Sequence, residues 1–174
     1  MIVLVNPKSA KWKHRLPMSI LSLAALLEGR HPYEVVDGNF EADLEATLTR
    51  TIRETRAAFL GVTVMPGPQL MQAIPLTRSL KRLFPQLTIV WGGYFPSLHA
   101  DVVLQSGFVD FVIRGQGELS FLELIDAFEH GAPVDSIPGL SFVRNGRVIH
   151  NAKRPVTDPN TLPPMPYHRV DMKR

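Results

Sequence analysis

The sequence predicts an α/β fold in which parallel strands and helices alternate around one doubly wound sheet. Two observations favour this class. Five short runs rich in β-branched and aromatic residues are each followed within two residues by glycine or proline, as buried strands often are. Between these runs lie longer stretches with apolar residues at helical spacing. Strands that alternate with helices in this way are joined by crossovers and run parallel to one another.

The strands are predicted from their composition and from the breakers that follow them. The first run, residues 2–5, is wholly apolar, so both of its faces must be covered, as in a parallel sheet. The five predicted strands span residues 2–5, 33–36, 59–64, 88–91 and 108–113.

The intervals between the strands have the features of helices. Asp43 stands where it can cap the second helix, in which Leu44, Leu48 and Ile52 recur every fourth residue. Pro75 falls inside the third helix and should cost about 3 kcal/mol or kink the helix, unless the helix restarts there. Besides the helix that Asp43 caps, the predicted helices cover residues 18–28, 69–84, 96–105 and 118–129.

Right-handed crossovers between these strands give a flavodoxin-like, or Rossmann-like, five-stranded parallel sheet, most simply in the order 2-1-3-4-5. The predicted α/β domain spans residues 1–136. A β-hairpin follows within residues 137–152, because Asn145-Gly146 supplies the two positive-φ residues of a type I′ turn between two short strands. Residues 153–174 are rich in proline and polar residues and are predicted to form an extended linker.

Composition narrows the classes of function. The 174 residues carry a formal net charge of +3, which is too small to predict nucleic-acid binding, and they include no cysteine. Disulfides, thiolate metal sites and cysteine-bound iron–sulfur clusters are therefore excluded on this chain. No apolar run is long enough to span a membrane, and Met1 leads directly into a strand. We therefore expect no membrane partner and a cytoplasmic location.

Four loops should meet at the carboxyl edge of the sheet, where open parallel sheets bind ligands. They span residues 6–17, 65–68, 92–97 and 114–118 and are rich in glycine, proline, amides and hydroxyls. They contain no Ser–His–Asp or Cys–His set and no pair of carboxylates placed for acid–base work, so no catalytic residue is predicted. This composition is typical of a site that holds a ligand rather than one that reacts by itself.

Two glycine pairs mark this edge. Gly92-Gly93 follows the fourth strand and lets the backbone approach a bulky ligand closely, although a tight turn also explains it. The run from Gly115 to Glu118 approaches a dinucleotide-binding fingerprint, but it follows the fifth strand, and Ser120 stands where the third glycine belongs. Glu118 itself is interpreted as a charge in the first turn of a helix.

Several other candidate residues have structural explanations. Trp91 is expected in the core, and His99 and His130 are expected in solvent near helix ends. His14 is the only histidine in a carboxyl-edge loop, and a single histidine is weak evidence for a ligand. A phosphoacceptor receiver of the same topology would need carboxylates where Asn6 and Val64 stand, so that function is rejected.

Taken in this order, the residues resemble the amino-terminal cobalamin-binding domain of B12-dependent radical SAM enzymes. The most specific feature is a Trp-Gly-Gly…Pro motif at residues 91–96 followed by Arg-Gly-Gln-Gly-Glu at residues 114–118. The resemblance covers nearly the whole chain. Its matching pieces are residues 5–7, 16–24, 33–37, 60–64, 90–97, 109–118, 137–140 and 162–167.

The resemblance implies that cobalamin lies over the carboxyl edge, with its nucleotide tail between the loops. Thr63 and residues 65–67 would lie near the tail or the lower corrin face. Many cobalamin proteins of this fold supply the lower cobalt ligand from an Asp-x-His-x-x-Gly motif, which is absent here, so no metal-ligating residue is predicted. The implied cofactor-binding residues are Asn6, Pro7, Pro17, Thr63, Val64, Met65, Pro66, Gly92, Gly93, Tyr94, Pro96, Arg114, Gly115, Gln116, Gly117 and Glu118.

In the family that this chain resembles, a cysteine-rich barrel follows the domain and carries a 4Fe-4S cluster and S-adenosylmethionine. The resemblance therefore implies that the chain is non-catalytic alone. It would present cobalamin to a radical SAM barrel absent from this chain, in a methyltransferase or in an enzyme that forms or rearranges rings.

Two alternatives from other classes stay open. A flavodoxin-like flavin or nucleotide-binding domain predicts a phosphate cradle after the first strand, whereas residues 6–15 include one serine and no glycine. A ligand-free protein-interaction module would use the hairpin as its working surface. A bulky residue at Gly92 or Gly93 should abolish cobalamin binding with the fold kept, whereas a ligand-free module has no such binding to lose.

Overall fold

The computed structural model describes residues 1–9 and 16–170, and within these ranges seven strands form one sheet in the order β2-β1-β3-β4-β5-β6-β7. The first five strands are parallel, whereas β6 is antiparallel to β5 and β7 is antiparallel to β6. The strands are Ile2–Asn6 (β1), Tyr33–Asp37 (β2), Phe59–Thr63 (β3), Thr88–Gly92 (β4), Phe111–Ile113 (β5), Leu140–Arg144 (β6) and Arg147–His150 (β7).

The predicted order 2-1-3-4-5 of the parallel strands is confirmed, but the predicted count of five strands in the sheet is wrong. The hairpin joins the same sheet through β6, where Ser141 lies opposite Val112 and both residues are fully buried. Without the hairpin, β5 would present an edge of unpaired backbone groups, and β6 pairs with that edge. The hairpin turn is as predicted, because Asn145 and Gly146 have φ angles of 51° and 72°.

Six α-helices accompany the strands in the described part of the chain. The side chain of Asp43 caps the second helix by accepting a hydrogen bond from the Ala46 N–H at 3.0 Å. The third helix runs through Pro75 as one helix, and the predicted helix over residues 96–105 is two short helices that meet at His99. The helices are Met18–Leu27 (α1), Leu44–Thr55 (α2), Pro68–Leu83 (α3), Tyr94–Leu98 (α4), Ala100–Gln105 (α5) and Glu118–His130 (α6).

Strand β5 begins three residues later than predicted, at Phe111 instead of residue 108. The side chain of Asp110 takes part in the pairing at this point, because its Oδ2 accepts a hydrogen bond from the Ile89 N–H at 2.7 Å. Both carboxylate oxygens of Asp110 also lie 2.8 Å from Lys81 Nζ. The regular ladder between β4 and β5 therefore starts only after Asp110, with Val90 opposite Phe111.

Helices cover both faces of the parallel part of the sheet. On one face, α2, α3 and α5 pack around a cluster that includes Trp91, which is buried as predicted. On the other face, α1 and α6 lie side by side over a cluster that includes Leu4 and Phe121. Because each of these helices follows a parallel strand, the first turns of α1 and α6 lie next to each other at the carboxyl edge of the sheet.

The chain beyond the hairpin packs against the domain. Arg154 Nε donates to Ser120 Oγ at 2.8 Å, and Leu162 packs against the cluster beneath α1 and α6. Arg169 lies over the ring of Tyr33 at 4.8 Å and pairs with Glu28. Burial and the hydrogen bond to Glu28 raise the pKa of Tyr33 to about 12. The predicted linker is thus held against the helical face, with short 3₁₀ turns at Pro159–Thr161 and Tyr167–Arg169.

None of the helices in the described ranges is both long and apolar enough to cross a membrane.

Candidate functional site: a cavity at the carboxyl edge

A cavity of about 160 Å³ lies between α1 and α6, at the carboxyl ends of β3, β4 and β5. Its wall is largely apolar and includes Leu23 of α1, Val90 of β4, Ile113 of β5 and Phe121 of α6. Polar and backbone groups from the ends of the strands complete it. The residues that line the cavity are Ser19, Leu23, Gly61, Val62, Thr63, Val90, Gly92, Gly93, Ile113, Gly115, Gln116, Gly117, Glu118 and Phe121.

The glycines of this cavity serve different purposes. A Cβ built on Gly92 or on Gly115 would meet nothing within 4 Å, so both residues leave room at the cavity wall. Gly93 has φ of +99°, and its Cβ would lie 3.1 Å from the backbone N and O of Val64. Gly61 admits a neighbouring ring, because a Cβ there would lie 3.2 Å from Cζ of Phe121.

Two hydroxyl contacts hold the polar side of the cavity. Ser19 Oγ lies 3.2 Å from Thr63 Oγ1 and links the start of α1 to the end of β3. Ser97 joins the two glycine-bearing loops, because its Oγ donates to the Gly93 carbonyl at 2.7 Å and accepts from the Gly115 N–H at 2.9 Å. The relative position of the two loops is therefore set by one hydroxyl group.

Glu118 places a carboxylate in the cavity wall. It stands in the first turn of α6, as predicted, where the partial positive charge of the helix end favours a negative side chain. Ser22 Oγ donates to Glu118 Oε1 at 2.6 Å. The other carboxylate oxygen of Glu118, Oε2, is buried and has no hydrogen-bond partner within the described ranges. One oxygen of this carboxylate therefore has no partner within the described ranges, in a residue that lines the cavity.

Gln116 connects the cavity to the segment beyond the hairpin. Its Nε2 donates to the Thr157 carbonyl at 3.1 Å, and its Oε1 accepts from the Thr157 N–H at 2.7 Å. Both polar atoms of this amide thus bond to one residue of the packed C-terminal segment. The segment is consequently part of the structure that supports the cavity wall.

The other half of the carboxyl edge, at the ends of β1 and β2, carries a polar network. Asn6 Nδ2 donates to Asp37 Oδ1 at 2.9 Å, and Asn39 donates to the same oxygen from its backbone N and its Nδ2. Gln69 Nε2 donates to Asn6 Oδ1 at 2.8 Å and to the Pro7 carbonyl at 3.1 Å. Asp37 Oδ2 has no partner among the described residues. The amides of Asn6 and Gln69 are occupied within the protein and hold the loops together.

Of the residues implied as cofactor-binding by the sequence, seven line the cavity, and they are Thr63, Gly92, Gly93, Gly115, Gln116, Gly117 and Glu118. The others surround it or lie elsewhere on the edge. Asn6 and Pro7 belong to the polar network, Pro17 precedes α1, and Val64 and Pro96 are buried. The guanidinium of Arg114 donates to the Asn151 carbonyl. Met65, Pro66 and Tyr94 are exposed.

Sequence reasoning missed the part of the wall that comes from element interiors. Ser19 and Leu23 are four residues apart on one face of α1, and Phe121 follows Glu118 by three residues on α6. The signal that could have found them is helical spacing counted from the first turn after a carboxyl-edge loop. The remaining missed residues are strand residues, namely Gly61, Val62, Val90 and Ile113.

The histidines of the described ranges stand away from the cavity wall. His99 and His130 are exposed, as predicted, and His14 lies outside the described residues. His31 forms a cluster with Asp126 and Glu129, with its Nε2 2.9 Å from Asp126 Oδ1 and its Nδ1 3.1 Å from Glu129 Oε1. Because each ring nitrogen faces a different carboxylate, this cluster has the pattern of a structural ion pair rather than of a set of ligands around one ion.

Comparison with known proteins gives a family for this arrangement. The family model described as the B12 binding domain matches residues 15–125, which is well over half of the chain.

Two curated relatives match over most of this chain. An uncharacterized methyltransferase of Pyrococcus horikoshii is 26% identical over 141 residues, which are 80% of this chain and 30% of the relative. The anaerobic magnesium-protoporphyrin IX monomethyl ester cyclase of a Synechocystis strain is 24% identical over an alignment of 182 positions, which covers 99% of this chain and 36% of the relative. The chain therefore spans about a third of the length of these relatives.

Solved structures share the fold. The radical S-adenosylmethionine methyltransferase TsrM of Kitasatospora setae superposes with a TM-score of 0.76 at 22% identity, over 87% of this chain and 30% of TsrM. The cobalamin-dependent S-adenosylmethionine radical enzyme OxsB superposes with a TM-score of 0.77 at 20% identity, over 89% of this chain and 22% of OxsB. The receiver domain of RcsB from Salmonella enterica superposes with a lower TM-score of 0.52. The receiver topology is thus shared, but Asn6 and Val64 stand where its carboxylates were expected.

Proposed function

The chain belongs to the B12-binding domain family, and we propose that it binds cobalamin at its carboxyl-edge cavity as the cofactor domain of a radical SAM enzyme. The observation that carries this proposal is the cavity itself. It combines an apolar wall, two glycines (Gly92 and Gly115) at which an added Cβ would meet nothing within 4 Å, and a residue, Glu118, with one buried carboxylate oxygen that has no partner in the described chain. These features suit a ligand that is partly aromatic and partly polar.

The size of the cavity indicates which part of cobalamin it would take. Pockets that enclose a whole small-molecule ligand have volumes of about 300–1,000 Å³. The cavity here, at about 160 Å³, holds only one end of a ligand as large as cobalamin. We assign the nucleotide tail to it, because the aromatic base of the tail suits a wall that includes Val90 and Phe121.

The surface around the cavity mouth suits the remaining, larger part of the cofactor. Met18, Met65 and Tyr94 lie at the carboxyl edge with 44%, 49% and 58% of their surface exposed. Large apolar side chains that cluster at one exposed edge often mark a surface that another group covers. In the proposal the corrin covers this edge while the tail fills the cavity.

Within the domain, the residues of the cavity bind and orient and do not react. When bound, cobalamin supplies one-carbon transfer or radical chemistry through its cobalt. Gly92 and Gly115 leave space for the cofactor, the hydroxyls of Ser19 and Thr63 offer hydrogen bonds, and Ser97 fixes the two glycine loops. The lining residues include no cysteine, histidine or lysine, so no thiol, amine or metal-ligating imidazole faces the ligand from the described wall.

The catalytic part of the reaction is assigned to another region of the parent enzyme. This chain has no cysteine with which to hold an iron–sulfur cluster. The relatives named above are about three times as long as the stretch they share with it. The proposal therefore places the 4Fe-4S cluster and S-adenosylmethionine in a radical SAM barrel, to which this domain presents cobalamin in a methyltransferase or cyclase.

Cofactor retention tests the binding proposal directly. The purified chain is incubated with hydroxocobalamin, desalted and examined by visible spectroscopy, with calorimetry as a second measurement. We expect corrin absorbance that corresponds to one cobalamin per chain. Flavin mononucleotide serves as the matched control and should not be retained, because residues 6–15, with one serine and no glycine, do not offer the phosphate cradle that a flavodoxin-like domain has after its first strand.

The test has a clear contrary result. Retention of the flavin instead of the corrin would favour the flavodoxin-like alternative. If neither ligand is retained, the experiment is repeated on a longer chain that includes the region downstream of residue 174, and a failure there as well contradicts the proposal.

A further inference from the structure

Among the buried side-chain atoms without a partner in the described ranges, Glu118 Oε2 is the one that belongs to a residue of the cavity wall. A buried carboxylate oxygen without a hydrogen bond lowers stability, because it has lost water without gaining a partner. Here Oε1 is satisfied by Ser22, whereas Oε2 is buried and has no partner in the described chain, and the residue that carries it lines the cavity. An apolar side chain or an amide at this position would avoid that cost.

The chemistry of a carboxylate restricts what can satisfy it. An ionised carboxylate only accepts hydrogen bonds, so its partner must be an O–H or N–H donor. A phosphate or another carboxylate would be repelled at this position. The complementary group is therefore an uncharged hydroxyl or amide on a ligand in the cavity.

We infer that Glu118 is a specificity-determining residue, whose Oε2 accepts a hydrogen bond from a ribose hydroxyl of the cobalamin nucleotide tail. This inference rests on the proposed function. The benzimidazole base of the tail has no N–H to donate, and the phosphate of the tail is repelled by charge. The amide of the linker lies on the corrin side of that phosphate, which leaves the ribose hydroxyls as the donors inside the cavity. Ser22 contributes as a positioning residue, because its hydroxyl fixes the other oxygen of the same carboxylate.

Cobalamin affinity and the stability of the empty domain respond differently to replacement of Glu118 in the two cases. If Glu118 had a purely structural role, its replacement would weaken the fold. If it serves the ligand, replacement removes a buried unpaired oxygen, which offsets the lost hydrogen bond from Ser22, so the empty domain should lose little stability. A large loss of affinity together with an unfolding midpoint close to that of the wild type is therefore the expected signature.

The experiment uses two variants, two ligands and a control. Glu118→Met removes the acceptor while keeping an unbranched side chain, and Glu118→Gln keeps the shape but replaces one oxygen by a donor. Glu129→Gln, at the opposite end of the same helix, is the control. Hydroxocobalamin is compared with cobinamide, which lacks the nucleotide tail, by titration calorimetry. Urea unfolding without ligand measures stability.

For Glu118→Met we expect cobalamin affinity to fall by roughly tenfold or more, since a hydrogen bond to a charged group is lost. Affinity for cobinamide and the urea midpoint should both stay close to their wild-type values. The cobalamin affinity of Glu118→Gln should also fall, and Glu129→Gln should bind both ligands like the wild type.

Each contrary result points to a different failure. Wild-type cobalamin affinity in Glu118→Met overturns the inference while the proposed function stands. An equal loss of affinity for both ligands together with a lower urea midpoint also overturns it and assigns Glu118 a structural role. If the wild-type chain binds neither corrinoid, alone or in the longer chain, the proposed function fails and the inference fails with it.

Discussion

The two halves of the carboxyl edge use glycine in opposite ways. At the end of β2, a Cβ on Gly38 would lie 2.8 Å from Cδ2 of Leu44 and 3.1 Å from the Asn6 carbonyl, so the space is already filled. At the end of β4, a Cβ on Gly92 would meet nothing within 4 Å. The first half is closed by packing and by the network around Asn6, whereas the second half is open.

This difference shows that a place at the carboxyl edge does not make a residue part of the cavity wall. Asn6 and Thr63 both lie at the carboxyl end of a parallel strand. The amide of Asn6 bonds to Asp37 and to Gln69, whereas Thr63 lines the cavity. Three substitutions test whether the closed and open halves differ as this geometry indicates.

The largest loss of stability is expected for Gly93→Ala. Gly93 has φ of +99° and ψ of −168°, a conformation that is essentially restricted to glycine, and the added Cβ would press on the backbone of Val64. We expect the free energy of unfolding to fall by about 3 kcal/mol, from backbone strain and the close contact together. Urea unfolding followed by circular dichroism measures it. A midpoint like that of the wild type would show that the turn can relax, contrary to this geometry.

An intermediate effect is expected for Gln69→Ala, which removes the centre of the closed half. The side chain of Gln69 is buried, donates to Asn6 and Pro7, and accepts from the Met65 N–H at 3.0 Å. Its removal leaves buried partners unsatisfied, which costs about 2 kcal/mol in unfolding free energy. The same urea experiment measures this change. If cobalamin affinity, corrected for the folded fraction, also falls strongly, then the closed half takes part in binding, contrary to the difference between the two halves.

The smallest effect on stability is expected for Gly92→Val, although it should impair binding. Valine is favourable in a strand, and the added atoms enter open space, so the unfolding free energy should change by no more than about 0.5 kcal/mol. Because Gly92 lines the cavity, cobalamin affinity should fall by at least about tenfold. Titration calorimetry and urea unfolding are measured together.

The matched control for that change is Gly38→Val in the filled half. There the same side chain should destabilise the fold, because Leu44 and the backbone oxygen of Asn6 already occupy the space. Unaltered cobalamin affinity in a well-folded Gly92→Val variant would show that the open space is not the tail site. Gly92 and Gly93 cannot be told apart from the sequence motif. These tests distinguish them, because substitution of Gly92 should impair cobalamin binding whereas substitution of Gly93 should destabilise the fold.

Much of the fold could be predicted because it depends on local patterns. The apolar runs and the breakers after them identify all five parallel strands, and the alternation with helices leads to their order. Asn145-Gly146 fixes its turn through the φ angles of two adjacent residues. The sequence missed that the hairpin extends the sheet, because the pairing of β5 with β6 depends on an edge that exists only in the assembled fold.

The sequence by itself therefore determined the parallel sheet, the edge at which the cavity lies and the glycine motifs that mark that edge. Only the tertiary structure decided which polar groups there remain free. Gln69 reaches Asn6 across 63 positions of the chain, and Ser22 reaches Glu118 across 96. Whether a hydrogen-bonding group is satisfied depends on partners that are distant in sequence and close only after folding. For this reason Asn6 became part of the scaffold, while one oxygen of Glu118 was left free at the cavity.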